Sequence, residues 1–196
     1  MYSECVFSQT ATHSTLLARL ADVGDFAAWV EFKGRYSELI RGFCVRRGLQ
    51  AADIEDVEQE VLLSLSKAMG NFNYDPGKGL FRSYLKTVVN NAIARKWRQN
   101  PPAGGLSQAE GVGIDSDDDP WEQEWRQYHY RRAMRVIETE YAEADRRAFA
   151  MYAVEGRGAG EVAKELAMSV DAVYQAKSRI LKRLSAIIEA QIADEG

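Results

Sequence analysis

The stretch "DIEDVEQEVLLSLSKAM", residues 53–69, decides what kind of fold this chain builds. At 100° per residue, Ile54, Val57, Val61, Leu65 and Ala68 fall on one stripe, which predicts an amphipathic helix with that stripe in a core. Asp56, Gln59, Glu60, Leu63 and Lys67 lie on the opposite side. Leu63 is therefore a large apolar residue at the centre of a mainly acidic outer surface. A single exposed leucine is ordinary. An apolar centre ringed by Asp, Gln and Glu is also the layout of a small docking site for a basic partner. Spacing alone leaves both readings open.

The helical period continues in both directions, and strand-type alternation is absent. Helices are predicted near 14–21, 25–47, 51–70 and 79–98, then near 121–140, 143–155, 158–166 and 170–190. Gly24, Gly48 and Gly70 fall at expected helix ends. Between the two sets lies "QNPPAGGLSQAEGVGIDSDDDP", residues 99–120. Paired prolines, scattered glycines and an acid run without apolar period mark it as a linker. The expected fold class is all-α, with two small helical domains at 14–99 and 121–190. A flexible acidic Gly/Pro linker at 100–120 joins them, and tails at 1–13 and 191–196 flank them.

Dividing the charge along the chain supports this organisation. The net charge of −4 suggests little affinity for nucleic acid. Yet residues 1–99 carry 13 Lys/Arg against 11 Asp/Glu, and residues 126–196 carry 12 against 11. Residues 100–125 carry seven acids and no base. The acidity belongs to the middle segment, and the whole-chain value says little about either flank.

Several function classes are set aside by composition. Of the 196 residues, 46% are apolar and 28% charged, as in a soluble globular protein. No apolar run approaches the roughly 20 residues needed to span a bilayer. The start "MYSECVFSQTATHS" lacks the pattern of a signal peptide, so a cytoplasmic location is expected. Cys5 and Cys44 form neither a disulfide framework nor a metal-ligand spacing. Asp115, Asp117 and Asp119 alternate like the start of a calcium loop, but Pro120 stands where glycine is needed and Arg126 where the bidentate glutamate belongs. His13 and His129 are the only histidines, and no nucleophile–base arrangement follows from them. No catalytic residue, metal site or cofactor is expected, and the protein is not read as an enzyme.

Two further stretches carry information. "KGLFRSYLKTVVNNAIARKWRQN", residues 78–100, combines a buried stripe of Phe81, Leu85, Val88 and Ala92 with many cations. Tyr84 and Val89 sit on the shoulders of that stripe. Arg82, Lys86, Asn90 and Trp97 share another face, and Asn91, Arg95 and Arg98 lie on the flank beyond Tyr84. A membrane-surface helix fits poorly, because the apolar side is already filled by packing within a domain. Cations with interleaved rings and amides suit single-stranded nucleic acid, where aromatic stacking adds roughly 1–3 kcal/mol per base. A cationic solvated face is the plainer alternative. The preceding loop can present Asn73, Tyr74 and Lys78 beside this face.

The second stretch is "GRGAGEVAKELAMSVDAVYQAKSRILKRL", residues 156–184. A short helix with Val162, Ala163 and Leu166 meets a turn, and Ser169 is placed to cap the next helix. Ala163, Met168, Val173 and Ala176 occupy the small or apolar positions of a helix-turn-helix. Ala167 replaces the usual turn glycine. Val173, Ile180 and Leu184 point inward. Asp171, Ala172, Gln175, Ser178, Arg179 and Lys182 point outward, as a recognition helix would. Ordinary helical hairpins share this pattern.

In this order, the three segments resemble a bacterial RNA polymerase sigma factor of the extracytoplasmic-function (ECF) group of the sigma-70 family. "DIEDVEQEVLLSL" is similar to the group's D-x-x-Q-E helix, which binds the polymerase β′ clamp helices. The resemblance therefore implies polymerase-binding roles for Asp56, Gln59 and Glu60, joined by Leu63 from its position on the face. "NFNYDPGKGLFRSYLKTVVNNAIARKWRQ" resembles the segment that melts and reads the −10 promoter element. It implies DNA contacts for Asn73, Tyr74, Lys78, Phe81, Arg82, Tyr84, Lys86, Asn90, Asn91, Arg95, Trp97 and Arg98, with Phe81 and Asn91 beside the loop in a pocket for an extruded base. The last segment resembles the −35-reading helix-turn-helix. Gln175, Ser178 and Arg179 would lie at base edges, Ala172 would belong to the same −35 DNA-binding face, and Arg157, Lys182 and Arg183 would hold phosphates. Tyr84 stands where the family usually has Trp, and Arg95 where an acid is common. The implied partners are core polymerase, through the β′ clamp helices and the β flap, and promoter DNA. The resemblance also admits an inhibitory anti-sigma protein. It implies no membrane insertion. A stand-alone helix-turn-helix regulator is the alternative, but it leaves the first domain without a task.

Overall fold

The computed structural model describes residues 13–70, 81–99 and 119–194. The described elements are α1 (His13–Leu20), α2 (Phe26–Arg46), α3 (Ala51–Met69), α4 (Phe81–Gln99), α5 (Pro120–Glu140), α6 (Glu143–Phe149), α7 (Ala159–Glu165) and α8 (Val170–Asp194). A π-helical turn, Ala150–Val154, continues α6. Among the described residues there is no strand, and the fold is all-α as expected. The predicted helix at 143–155 is present, but its last turn widens, with the Glu155 N–H donating to the Ala150 carbonyl at 2.9 Å.

The chain divides between Trp125 and Arg126 into two compact units. The sequence reading put its second domain from residue 121, yet the first turn of α5 packs with the first unit, for reasons given below.

In the first unit, Asp25 caps α2 by accepting the Ala28 N–H at 2.9 Å. At the far end Gly48 takes φ +80°, which lets the Leu49 N–H reach the Cys44 carbonyl at 3.1 Å. Gly70 follows α3 but stays in the right-handed region, φ −58° and ψ −23°, so its freedom is not used there. The core gathers Leu16, Leu17, Leu20, Phe32, Leu39, Ile40, Val61 and Leu65. The Phe32, Tyr36 and Phe81 rings meet with centroids 4.7–6.1 Å apart. On α3 the buried residues are Ile54, Val57, Glu58, Val61, Leu65 and Met69, so the predicted stripe holds except that Met69 replaces Ala68 at its end. On α4 they are Phe81, Leu85, Val89, Ala92 and Ile93, whereas Val88 is half-buried. The i, i+4 row through residues 81, 85, 89 and 93 faces the core because α4 lies along α3.

One buried charge is accounted for. Glu58 accepts the Ser37 hydroxyl at 2.6 Å and lies 3.3 Å from Arg41. Burial, with a smaller contribution from this carboxylate, raises the neighbouring Cys44 thiol from 9.0 to about 12.

The second unit has two apolar clusters. Ala148, Met151, Val162, Ala163, Val173 and Ala176 lie under the helix-turn-helix, and Ala133, Ile137, Phe149, Ile180 and Leu184 join α5 to α8. Ala167 sits in the left-handed region at φ +52°. The Met168 N–H returns to the Ala163 carbonyl at 2.9 Å, the closure of a glycine-type helix end carried by alanine. The Ser169 hydroxyl oxygen accepts the Ala172 N–H at 3.1 Å, as the cap reading requires. His129 is buried, with Nδ1 2.9 Å from the Gln191 side-chain oxygen.

Candidate functional site

The outer face of α3 carries the first candidate surface. Leu63 is 54% exposed, although the core leucine two positions on, Leu65, is wholly buried. Beside it, Phe26 and Val30 of α2 are 79% and 72% exposed. Phe26, Trp29, Val30, Leu62, Leu63 and Gln59 line an open, mainly apolar groove of about 490 Å³, with Lys33 and Ser66 on its edge. A patch of this kind is out of place on a surface that only meets water. The acids beside it are engaged with α4. Asp56 takes Lys96 at 2.6 Å, Asp53 takes the same ammonium at 2.9 Å, and Glu60 is paired with Arg95. These two carboxylates hold the Lys96 ammonium above the ordinary lysine range, Asp56 contributing most.

The second surface belongs to α4. Asn73, Tyr74 and Lys78 lie outside the described residues. Asn91, Arg95 and Arg98 are exposed, and Arg82, Tyr84, Lys86, Asn90 and Trp97 are half-buried. The Phe81 expectation needs correction: its ring is 1% exposed, wedged against Phe32 and Tyr36, and offers no face to a base. Its position opens the core row of α4, in agreement with the buried stripe that the spacing predicts and against the base-pocket role that the resemblance implies. Burial raises the Tyr84 phenol above its usual range. Trp97 lies under the Arg47 guanidinium at 5.2 Å, a cation–π contact that fixes the ring at the end of the helix.

The third surface is the outer side of α8. Gln175, Ser178, Arg179, Lys182 and Arg183 are exposed, and Ala172 is half-buried. Three of the cations expected to hold DNA are tied to acids. Arg157 bonds Glu161 at 3.1 Å and Glu165 at 2.6 Å, Arg179 bonds Asp145 at 3.1 Å, and Arg183 bonds Glu140 at 2.6–2.7 Å. Arg183 in turn keeps the Glu140 carboxyl below its ordinary value. Tyr174 is exposed and stands edge-on to Tyr152 at 5.5 Å, with the Lys177 ammonium over the Tyr152 ring at 5.0 Å.

The family description "Sigma-70 region 2" matches residues 33–101, a span holding most of α2 and all of α3 and α4. Residues 33–101 are thus similar to region 2 of the sigma-70 family. No curated protein sequence matches it. Among solved structures, the one described as "Structure of CnrH in complex with the cytosolic domain of CnrY" is similar over 92% of this chain and 99% of that one. The identity is 21% and the TM-score 0.35, too distant a likeness to fix any feature here.

The matched segment carries the basic helix and the α3 side of the apolar groove, whose other side, Phe26, Trp29 and Val30, lies just ahead of it. Sequence reasoning found Leu63 and Gln59 but missed Phe26 and Val30. Their signal was phase: residues 26 and 30 form an i, i+4 pair out of step with the buried Ala28, Phe32, Tyr36 and Leu39 of the same helix. Among the described residues no cluster of His, Cys, Asp or Glu could hold a metal ion, and no helix is long and apolar enough to cross a membrane.

Proposed function

We propose that the protein is an initiation factor of the ECF group that binds core RNA polymerase and directs it to promoters. Its role is binding, not catalysis, and work with the polymerase places it in the cytoplasm. The groove side of α3, with Asp56, Gln59, Glu60 and Leu63, docks on the β′ clamp helices. The exposed and half-buried residues of α4 hold the melted −10 strand, cations on phosphates and Tyr84 and Trp97 available for stacking. The helix-turn-helix formed by α7 and α8 reads the −35 element, with Gln175, Ser178 and Arg179 at base edges and Arg157, Lys182 and Arg183 on phosphates. In this scheme region 2 spans 14–99, the acidic linker 100–120, and the −35 domain the helices that follow.

The observation that carries the reading is the exposed Leu63 inside the segment that matches region 2, widened into an apolar surface by Phe26 and Val30 just ahead of that segment. A stand-alone helix-turn-helix regulator has no use for it. Run-off transcription with purified core polymerase on a promoter library tests the proposal and returns the recognised motif. Defined new start sites are expected. Unchanged start-site selection, together with no co-elution with the core enzyme, would reject it.

A further inference from the structure

Residues 119–125 lie on the face of region 2 that the proposed function gives to DNA. Lys86 is paired with Asp119, and the Arg82 guanidinium lies 3.4 Å from Glu122 and 5.5 Å from the Trp125 ring centre. Both cations belong to the α4 face that would otherwise meet phosphates. The acids are well seated: the Glu122 side chain is 16% exposed and that of Asp119 13%. Asp119 serves twice, since its other oxygen accepts the Trp121 N–H at 2.9 Å and so caps α5.

The segment is anchored on α2, away from those cations. Trp121 is fully buried, its ring edge-on to Phe43 at 5.1 Å. Glu124 is buried as well and accepts the Arg46 Nε–H at 2.6 Å. This carboxylate passes across Gly42 so closely that a Cβ there would stand 2.5 Å from the Glu124 Cδ. Glycine in the middle of a helix is unfavourable by propensity. Its presence at 42 is explained by the close approach of Glu124.

We propose that residues 119–125 form an autoinhibitory strap, in which Asp119 and Glu122 stand in for the phosphates of single-stranded DNA on Lys86 and Arg82. The inference rests on the reading of α4 as the single-strand face. DNA binding by the free protein must then displace two carboxylates and an aromatic anchor. The Trp121 indole N–H has no hydrogen-bond partner among the described residues.

Two variants of the full chain separate shape from charge. Gly42→Ala wedges Glu124 off α2 while raising the helix propensity of α2 itself, so α2 is not the element it weakens. Asp119→Asn with Glu122→Gln keeps the cap and the side-chain shapes but removes the charges. The probe is a short fluorescent single-stranded DNA of mixed sequence, read by anisotropy at low salt without polymerase. Two partly exposed ion pairs correspond to about three- to thirtyfold in affinity, so each variant is expected to bind that much more tightly than the parent. Amide exchange over residues 121–125 should speed up in Gly42→Ala. Adding Arg82→Ala and Lys86→Ala to either variant should abolish the gain. Affinity equal to the parent in both variants overturns the strap, and so does a gain that survives loss of the two cations. Promoter-directed transcription by the parent with core polymerase is the separate readout of the functional reading. If it occurs without any strap effect, only the strap fails; if the strap effect occurs without it, only the sigma assignment fails.

Discussion

Leu63 and Leu65 lie on one helix, two residues apart, and truncating each should have opposite consequences. Leu65 is wholly buried, so Leu65→Ala removes core contacts and should cost about 2–5 kcal/mol of stability. Leu63 leaves 54% of its surface in the groove. Fully burying a leucine side chain is worth about 1.5–3 kcal/mol, so covering the open half by a docked partner is worth roughly 1–1.5 kcal/mol. Leu63→Ala should therefore weaken binding to core polymerase by about five- to tenfold, while the loss of stability stays near 1 kcal/mol or below. Competition binding with labelled protein and core polymerase measures the first quantity, and urea unfolding the second. A dissociation constant within twofold of the parent, in a protein that unfolds as the parent does, would refute the assignment of this groove to docking.

Ala167→Gly relieves a left-handed alanine, a conformation that costs roughly 1–2 kcal/mol, against about 0.4–1 kcal/mol of added chain freedom in the unfolded state. A net stabilisation of about 0.5–1 kcal/mol by urea unfolding is expected, and clear destabilisation would mean the turn is shaped otherwise. Ser169→Ala removes the side-chain bond to the Ala172 N–H and should destabilise by about 0.5–2 kcal/mol, with faster amide exchange in the first turn of α8. In a Cys5→Ser background, Cys44 should resist alkylation at neutral pH, because the thiol is buried and shifted from 9.0 to about 12. The raised value means the folded state keeps the proton longer than the unfolded chain. The corresponding stability is fully present below pH 9.0 and is lost as pH climbs towards about 12, so alkaline unfolding should begin in that window and be eased by Cys44→Ala less than its cavity costs at pH 7.

The helix pattern was legible because each helix here buries a face with a clear 3.6 period, and helix ends carry their own chemistry. Gly48 and Ser169 both sit at such ends. Ala167 was legible as a departure, and its φ of +52° shows the chain taking the glycine conformation without glycine. What was not legible depends on tertiary partners. Val88 and Val89 are adjacent, and only the packing of α4 on α3 decides which is buried. Trp121 and Trp125 read as the start of the second domain, since nothing local reveals that Phe43 and Gly42 receive that turn. Phe81 reads equally well as a stacking ring or a core ring, and its neighbours Phe32 and Tyr36 lie over forty residues away in sequence.

The cation that departs from the family pattern, Arg95, gains a physical role once α3 and α4 are seen together. It pairs with Glu60, while Lys96 spans Asp53 and Asp56, so the acids expected to greet a basic partner are already neutralised by their own domain. A docking partner must exchange one ion pair for another on a largely exposed surface, where each is worth at most about 1 kcal/mol and the difference less. Specificity of approach can still come from those charges, but affinity must come from the apolar centre. Lys96→Ala should then leave polymerase affinity equal or slightly improved, because it frees Asp56, whereas Leu63→Ala should reduce it. The reverse order in the same titration would mean that charge, and not the Leu63–Phe26–Val30 surface, holds the partner.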